Sequence, residues 1–320
     1  MLLIWRNIVR FFDLHCDTLY RMTFENKEIY RNDLHVNLKS AEKIEKYLSC
    51  FAIWIPDSVR NMNAEIFFDK AVRKLKEQEL LYCDLFDVCK NSKDLENFKN
   101  NKCKNSGIIL TVEGGAVLNS KLERIKVLKD AGVKILTLTW NGSCEFGDGV
   151  SVDNAGGLTE FGIKAVQMLE ESSIIVDVSH ASEQLFYDVC DYSKKPFIAT
   201  HSNSKKICNN KRNLTDSQFK EIAERGGIVG ITFCKEFLSD ECSEVDFDDI
   251  LKHVYHFLEL GGEKTISIGS DFDGAEVPDC LNGIGCVENL YEYFLSKRLS
   301  ENLVDDIFFN NAYEFALKYF

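Results

Sequence analysis

The stretch Phe11-Phe12-Asp13-Leu14-His15-Cys16-Asp17 begins apolar and ends in a His-x-Asp pair. In an extended strand, residues i and i+2 point to the same face. His15 and Asp17 would then project together from a strand end, while Cys16 turns away and packs behind them. An imidazole beside a carboxylate is an N/O ligand set of the kind that a hard or borderline cation takes. One such pair decides little, but the rest of the chain repeats the arrangement.

Seven further segments read as buried strands: 49–55, 107–114, 133–140, 173–180, 196–202, 227–233 and 265–273, besides 9–17 itself. Several are apolar at consecutive positions, as strands covered on both faces should be. Helical patterns lie between and after them at 64–81, 122–131, 158–170, 182–190, 215–225, 247–260, 289–297 and 301–319. Gly132 and Gly261 follow two of these as stop signals, and Thr159 stands where a cap belongs. Eight strands alternating with helices predict an α/β fold, a single (β/α)8 TIM-like barrel forming one catalytic domain over residues 1–320. A doubly wound open sheet is the alternative. It lacks the usual glycine-rich dinucleotide turn after the first strand, where His-x-Asp stands instead.

Composition narrows the function. The net charge of −13, from 38 basic and 51 acidic residues, argues against nucleic acid or an anionic membrane as the main partner. The apolar residues 1–5 are too few for a signal peptide, and no run is long enough to span a bilayer. A cytoplasmic location is the expectation. The 12 Cys include no CxxC pair, so reduced thiols are expected rather than a thiolate zinc site.

In a barrel, chemistry sits at the C-terminal strand ends. Read in turn, those ends carry His15 and Asp17, then Glu113, then Asp177, Ser179 and His180, then His201, then Asp271 and Asp273. Imidazoles and carboxylates together suit Zn²⁺, Mn²⁺ or Fe²⁺. The donors outnumber the needs of one tetrahedral ion, and a two-metal site bridged by Glu113 accounts for the surplus. Of the other histidines, His35 reads as solvated in a polar loop. His253 and His256 share a helix face and read as surface or packing.

Asp13-Leu-His15-Cys-Asp17, Val112-Glu113-Gly-Gly115, Leu136-Thr-Leu-Thr-Trp140-Asn141, Gly157-Leu-Thr-Glu-Phe-Gly162, Asp177-Val-Ser-His180, Thr200-His201-Ser202, Lys211-Arg212-Asn213-Leu214 and Gly269-Ser-Asp271-Phe-Asp-Gly274 occur in that order. With these motifs the chain resembles the membrane (renal-type) dipeptidases, metallopeptidase family M19, within the amidohydrolase-like barrels. The resemblance covers nearly the whole chain and implies a zinc-dependent dipeptidase with two zinc ions. His15, Asp17 and Glu113 would hold one ion, and Glu113, His180 and His201 the other. Asp271 matches the proton shuttle near a metal-bridging hydroxide, with Glu113 as the other catalytic group. Arg212 matches the residue that binds the substrate's C-terminal carboxylate.

Dipeptides with a D-residue at the C-terminal position are an expected substrate, and a homodimer is the family expectation. The mammalian members carry a His where this chain has Trp140, so Trp140 or Asn141 is expected to shape the substrate pocket instead. The alternative is another binuclear-metal amide or lactone hydrolase of the amidohydrolase type.

Overall fold

The computed structural model describes residues 9–241 and 244–320. The apolar residues 1–5 of the sequence reading lie outside the described residues. The strands, in chain order, are β1 (Arg10–Cys16), β2 (Lys46–Trp54), β3 (Phe86–Val88), β4 (Ser106–Glu113), β5 (Ile135–Thr137), β6 (Ser143–Cys144), β7 (Gly147–Asp148), β8 (Ile175–Asp177), β9 (Val229–Ile231) and β10 (Ile266–Ile268).

The main sheet runs β8-β5-β4-β2-β1-β10-β9, and every pairing in it is parallel. The gap between β8 and β9 is crossed by two residues of the predicted strand 196–202. Ile198 bridges to Asp177 and Ala199 to Val229, which closes the ring into a barrel. That predicted strand shrinks to bridges because the backbone crowds in there. A Cβ on Gly230 would meet the Thr200 carbonyl oxygen at 1.9 Å, and one on Gly269 would meet it at 1.7 Å. Only glycine lets three strand backbones approach so closely.

β3 is absent from the sequence reading. It pairs with the lower end of β4, from Phe86 opposite Ser106 to Val88 opposite Ile108. Three residues are too short a run to show a period of two. The helices Thr18–Glu25 and Ser92–Asn100 are likewise additional.

The lumen is filled by apolar residues from around the ring: Phe12, Leu14, Leu48, Cys50, Ile109, Ile135, Ile175, Ile198 and Ile228. The final helical segment packs Phe309, Ala312, Tyr313 and Ala316 into the same cluster and seals the floor. The helix expected over 301–319 is interrupted by a π-helical turn, Asp306–Asn310. Beyond it the Asn311 amide donates to the carbonyls of Glu263 and Ile266, both at 2.8 Å.

The other helices lie outside the ring with the expected caps. Thr159 Oγ1 accepts from Gly162 N, Ser182 Oγ from Leu185 N, and Thr215 forms a capping box with Gln218. Among the described residues no helix is long and apolar enough to cross a membrane.

β1 breaks strict alternation. Its pairing with β2 shifts register between Asp13 and Cys16. Phe12 and Leu14 fill the lumen, and Cys16 joins the outer core. The irregularity re-aims the strand end so that His15 and Asp17 point into the barrel mouth.

Candidate metal centre at the barrel mouth

Six of the predicted residues converge above the lumen. Glu113, at the end of β4, stands between the rest. Its Oε2 lies 3.6 Å from His15 Nε2, and its Oε1 lies 2.8 Å from His180 Nε2 and 3.6 Å from His201 Nε2. His15 Nε2 also lies 3.6 Å from Asp17 Oδ2 and 4.0 Å from Asp271 Oδ1. The donor atoms of His15, Glu113 and His201 all fall within 4.8 Å of one another, as do those of His15, Asp17 and Asp271. These groups overlap the two ligand sets implied by the resemblance without dividing the donors in the same way.

Three residues of the centre hold the left-handed backbone that side chains usually avoid: His180 (φ 68°), Asp271 (φ 61°) and Asp273 (φ 68°). Such strain persists where the surrounding structure over-determines it. At His180 the carbonyl is taken by Val150 N at 2.8 Å. At Asp271 the backbone N–H donates to the His15 carbonyl at 3.0 Å. Gly274 completes this turn. A Cβ there would sit 2.0 Å from Asp17 Oδ2 and 2.5 Å from Asp271 Oδ1, so the carboxylates occupy space that only glycine leaves open.

Behind the imidazoles, hydrogen bonds fix the ring tautomers. His180 Nδ1 faces Asn141 Oδ1 at 2.8 Å. Thr200 Oγ1 donates to Asp177 Oδ2 at 2.6 Å and therefore accepts from His201 Nδ1 at 2.8 Å. Thr137 Oγ1 donates to the same Asp177 oxygen at 2.6 Å. Both rings thus carry their proton on Nδ1 and present the Nε2 lone pair. The two Nε2 atoms face each other at 2.9 Å, with Glu113 Oε1 beside them. Lone pairs gathered in a dry site repel unless a cation lies among them. His15 Nε2 and Asp17 Oδ1 are buried with no hydrogen-bond partner among the described residues. Orphaned atoms, matched tautomers and a borderline N/O donor set all fit a metal centre.

The electrostatics agree. Burial, with Asp17 and Glu113 alongside, pushes Asp271 up to about 8. Asp17 rises to about 6 through burial and Glu113. Glu113 is held well below the usual carboxylate range, because His15 and His180 outweigh its burial.

Arg212 is buried in a smaller recess of about 200 Å³ that shares His180 with the main cleft. Its Nη2 donates to the His201 carbonyl at 3.2 Å, while Nε has no partner among the described residues. Trp140 and Asn141 line the main cleft of about 570 Å³, together with Asp17, Glu113, His180 and Asp271.

Several residues differ from the sequence reading. His35 is not simply solvated. It is half-buried, accepts from Asp273 N at 2.9 Å, and donates its own N–H to Asp273 Oδ1 at 2.7 Å, pinning its loop to the site. His253 takes the packing role expected of it, fully buried between Ser204 N and the Leu238 carbonyl, and His256 beside it pairs with Asp216. Asp13 has a structural part that the sequence pattern does not announce, although it shares the two-residue spacing of His15 and Asp17. It accepts from Ser270 N at 2.8 Å and Ser270 Oγ at 2.6 Å, clamping β1 to the turn that carries Asp271. Asp177 stands behind the imidazoles and turns its carboxylate to Thr137, Ser179 and Thr200. Thr200 could have been found from its place beside His201.

Comparison with known proteins points the same way. The model of the membrane dipeptidase family (peptidase family M19) matches residues 6–315. An uncharacterised protein encoded 5′ of pqqA in Klebsiella pneumoniae is 29% identical over 233 residues, covering 70% of this chain and 85% of its own length. An uncharacterised dipeptidase of Schizosaccharomyces pombe is 29% identical over 202 residues, covering 58% of this chain and 48% of its own. A solved dipeptidase, a metallopeptidase of family M19, is similar with a TM-score of 0.90 at 26% identity, covering 98% of this chain and 99% of that one. A metallopeptidase from Rhodobacter sphaeroides, liganded with a phosphinate mimic of the dipeptide L-Ala-D-Ala, shares the fold. Its TM-score is 0.89 at 24% identity, covering 98% of this chain and 99% of that one.

Proposed function

The chain belongs to the membrane dipeptidase family (peptidase family M19) and is a metallo-dipeptidase, and on that premise we propose that it holds two zinc ions and cleaves dipeptides, including those with a D-residue at the C-terminal position. The observation that carries the reading is the two-sided placement of Glu113, with Oε2 toward His15 and Oε1 toward His180 and His201. His15, Asp17 and Glu113 would hold one ion, and Glu113, His180 and His201 the other. When bound, the ions supply Lewis acidity and hydroxide at neutral pH.

The chain's own groups do the rest. Arg212 offers a buried guanidinium with an uncommitted Nε, and an anion such as the substrate's carboxylate is the natural partner for it. Asp271, buried with its Oδ1 4.0 Å from His15 Nε2, stands where a proton can be taken and passed to the leaving amine, as a shuttle must. Asn141 orients His180, and Trp140 walls the cleft where the mammalian members carry a His. The L-Ala-D-Ala mimic bound by the Rhodobacter sphaeroides protein is consistent with a C-terminal D-residue being accepted here.

Elemental analysis of the purified protein, paired with cleavage of L-Ala-D-Ala and L-Ala-L-Ala, tests the reading. About two zinc per chain with cleavage is the expected result. Two zinc without cleavage of either peptide would favour an amide or lactone hydrolase. No metal after zinc supplementation would remove the ligand assignment altogether.

A further inference from the structure

One wall of the cleft is built of aromatic rings that the proposed chemistry does not use. Trp54 is the last residue of β2, Tyr20 lies in the helix Thr18–Glu25 directly after β1, and Trp140 follows β5. Tyr20 meets Trp54 edge-on at 4.8 Å between centroids, Trp54 meets Trp140 edge-on at 5.0 Å, and Trp140 lies 6.2 Å from the His180 ring. All three line the cleft, and all three keep part of their surface in water. Outward from them, Phe24 stacks parallel on Tyr20 at 6.0 Å and is 69% exposed. The wall therefore runs as one aromatic track from the metal centre to the surface.

The other side of the mouth differs. Arg212 and Phe237 come from the segments after residue 202 and after β9, across the ring from β2. The Arg212 guanidinium sits 5.3 Å from the Phe237 ring centroid. With the substrate's carboxylate at Arg212, its C-terminal residue lies on that side. The N-terminal residue then reaches across the metal centre toward Tyr20, Trp54 and Trp140.

We propose that this aromatic wall is the subsite for the substrate's N-terminal side chain, and that it selects dipeptides beginning with an aromatic or large aliphatic residue. The inference rests on the dipeptidase reading and on the carboxylate role of Arg212. Ring surface left wet in a concave site is relieved by an apolar occupant. An aromatic side chain adds edge-to-face or offset contacts to that burial. A cationic side chain would also find ring faces, and the comparison with a lysine-led peptide separates that case from an apolar occupant. A methyl side chain would leave most of the wall uncovered.

The test compares kcat/KM of the zinc-loaded protein for Phe-Ala, Leu-Ala, Lys-Ala, Ala-Phe and Ala-Ala. Phe-Ala and Leu-Ala should exceed Ala-Ala by about tenfold or more, chiefly through KM, with no such gain for Lys-Ala or Ala-Phe. In Trp54→Ala and in Trp140→Ala the ratio of Phe-Ala to Ala-Ala should fall to near one. In Tyr20→Ala, further from the metals, it should fall only partly. A ratio is independent of how much of a variant is folded. Equal rates for Phe-Ala and Ala-Ala would overturn the proposal. So would a preference that moves to Ala-Phe or Lys-Ala, or one that survives both tryptophan substitutions. Cleavage of none of the five peptides would instead overturn the dipeptidase reading beneath it.

Discussion

The half of the centre carried by β1 and the half carried by the ends of β8 and of residues 196–202 hold their imidazoles in opposite fields. Burial works against charge on His15, but Glu113 and Asp17 outweigh it and raise that imidazole well above its usual pKa. On the other side burial and the nearby Arg212 bring His180 down to about 4, and burial, His15 and Arg212 hold His201 well below its usual value. One half is an anionic nest that draws a cation by charge. The other is a pair of neutral rings that offers lone pairs. The difference teaches that equal-looking ligands at strand ends need not bind alike, because the surroundings set what each donor brings.

The comparison is most exposed at Glu113, the group both halves share. Glu113→Gln should weaken metal binding in both halves by about a hundredfold or more, beyond what losing an outer partner costs, and take turnover to near background. Elemental analysis and the dipeptide assay read this together. A variant that keeps two metals and near-normal rates would show that the halves do not depend on a common bridge.

Arg212→Ala sharpens the contrast from the imidazole side. KM for dipeptides should rise by about 10- to 100-fold, as expected for losing a charge-assisted contact, while metal content stays put. In the metal-free variant the pKa of His180 should move up, since Arg212 no longer opposes its charge. An unchanged KM would remove the carboxylate role.

Stability against pH separates the halves in the metal-free protein. Asp271, with a folded pKa of about 8 against 3.8 unfolded, keeps a proton that the unfolded chain has released, so stability falls as pH rises from 6.5 to 8. His15, raised above its usual value, adds to this slope. His180 has the opposite sign: at about 4 folded against 6.5 unfolded, it costs stability as pH falls from 6.5 toward 4. Across the alkaline window the loss should be on the order of 2 kcal/mol, and Asp271→Asn should shrink it. A Tm that is flat from pH 6.5 to 8 without metal would contradict the anionic half.

The smallest expected effect is at Thr200. Thr200→Val removes the hydroxyl that fixes the His201 tautomer and should weaken metal binding about tenfold, with Thr200→Ser restoring it. Titration calorimetry with zinc reads the affinity. A loss not rescued by serine would mean that Thr200 matters for packing alone.

Much of this was legible in the chain because strand ends report themselves. The apolar runs gave the barrel, and the acids and imidazoles fell where those runs stop. What escaped had weak local signals. β3 is three residues long, too few to show a period. The strand at 196–202 read as continuous, but the glycines opposite Thr200 left only two bridging residues. Asp13 looked like part of an apolar approach, because a carboxylate that binds Ser270 across strands has no local partner to announce it. The aromatic wall was half visible in Trp140. Tyr20 and Trp54 join it only once β1, β2 and β5 stand around one mouth.

The clamp between Asp13 and Ser270 joins residues 257 positions apart. On a ribosome, His15 emerges early and then waits for the turn bearing Asp271 and Gly274. Until β10 docks beside β1, the half of the centre built on His15 and Asp17 lacks the turn that closes it. That half is thus completed only at closure of the ring, by contacts of the highest sequence separation in the centre.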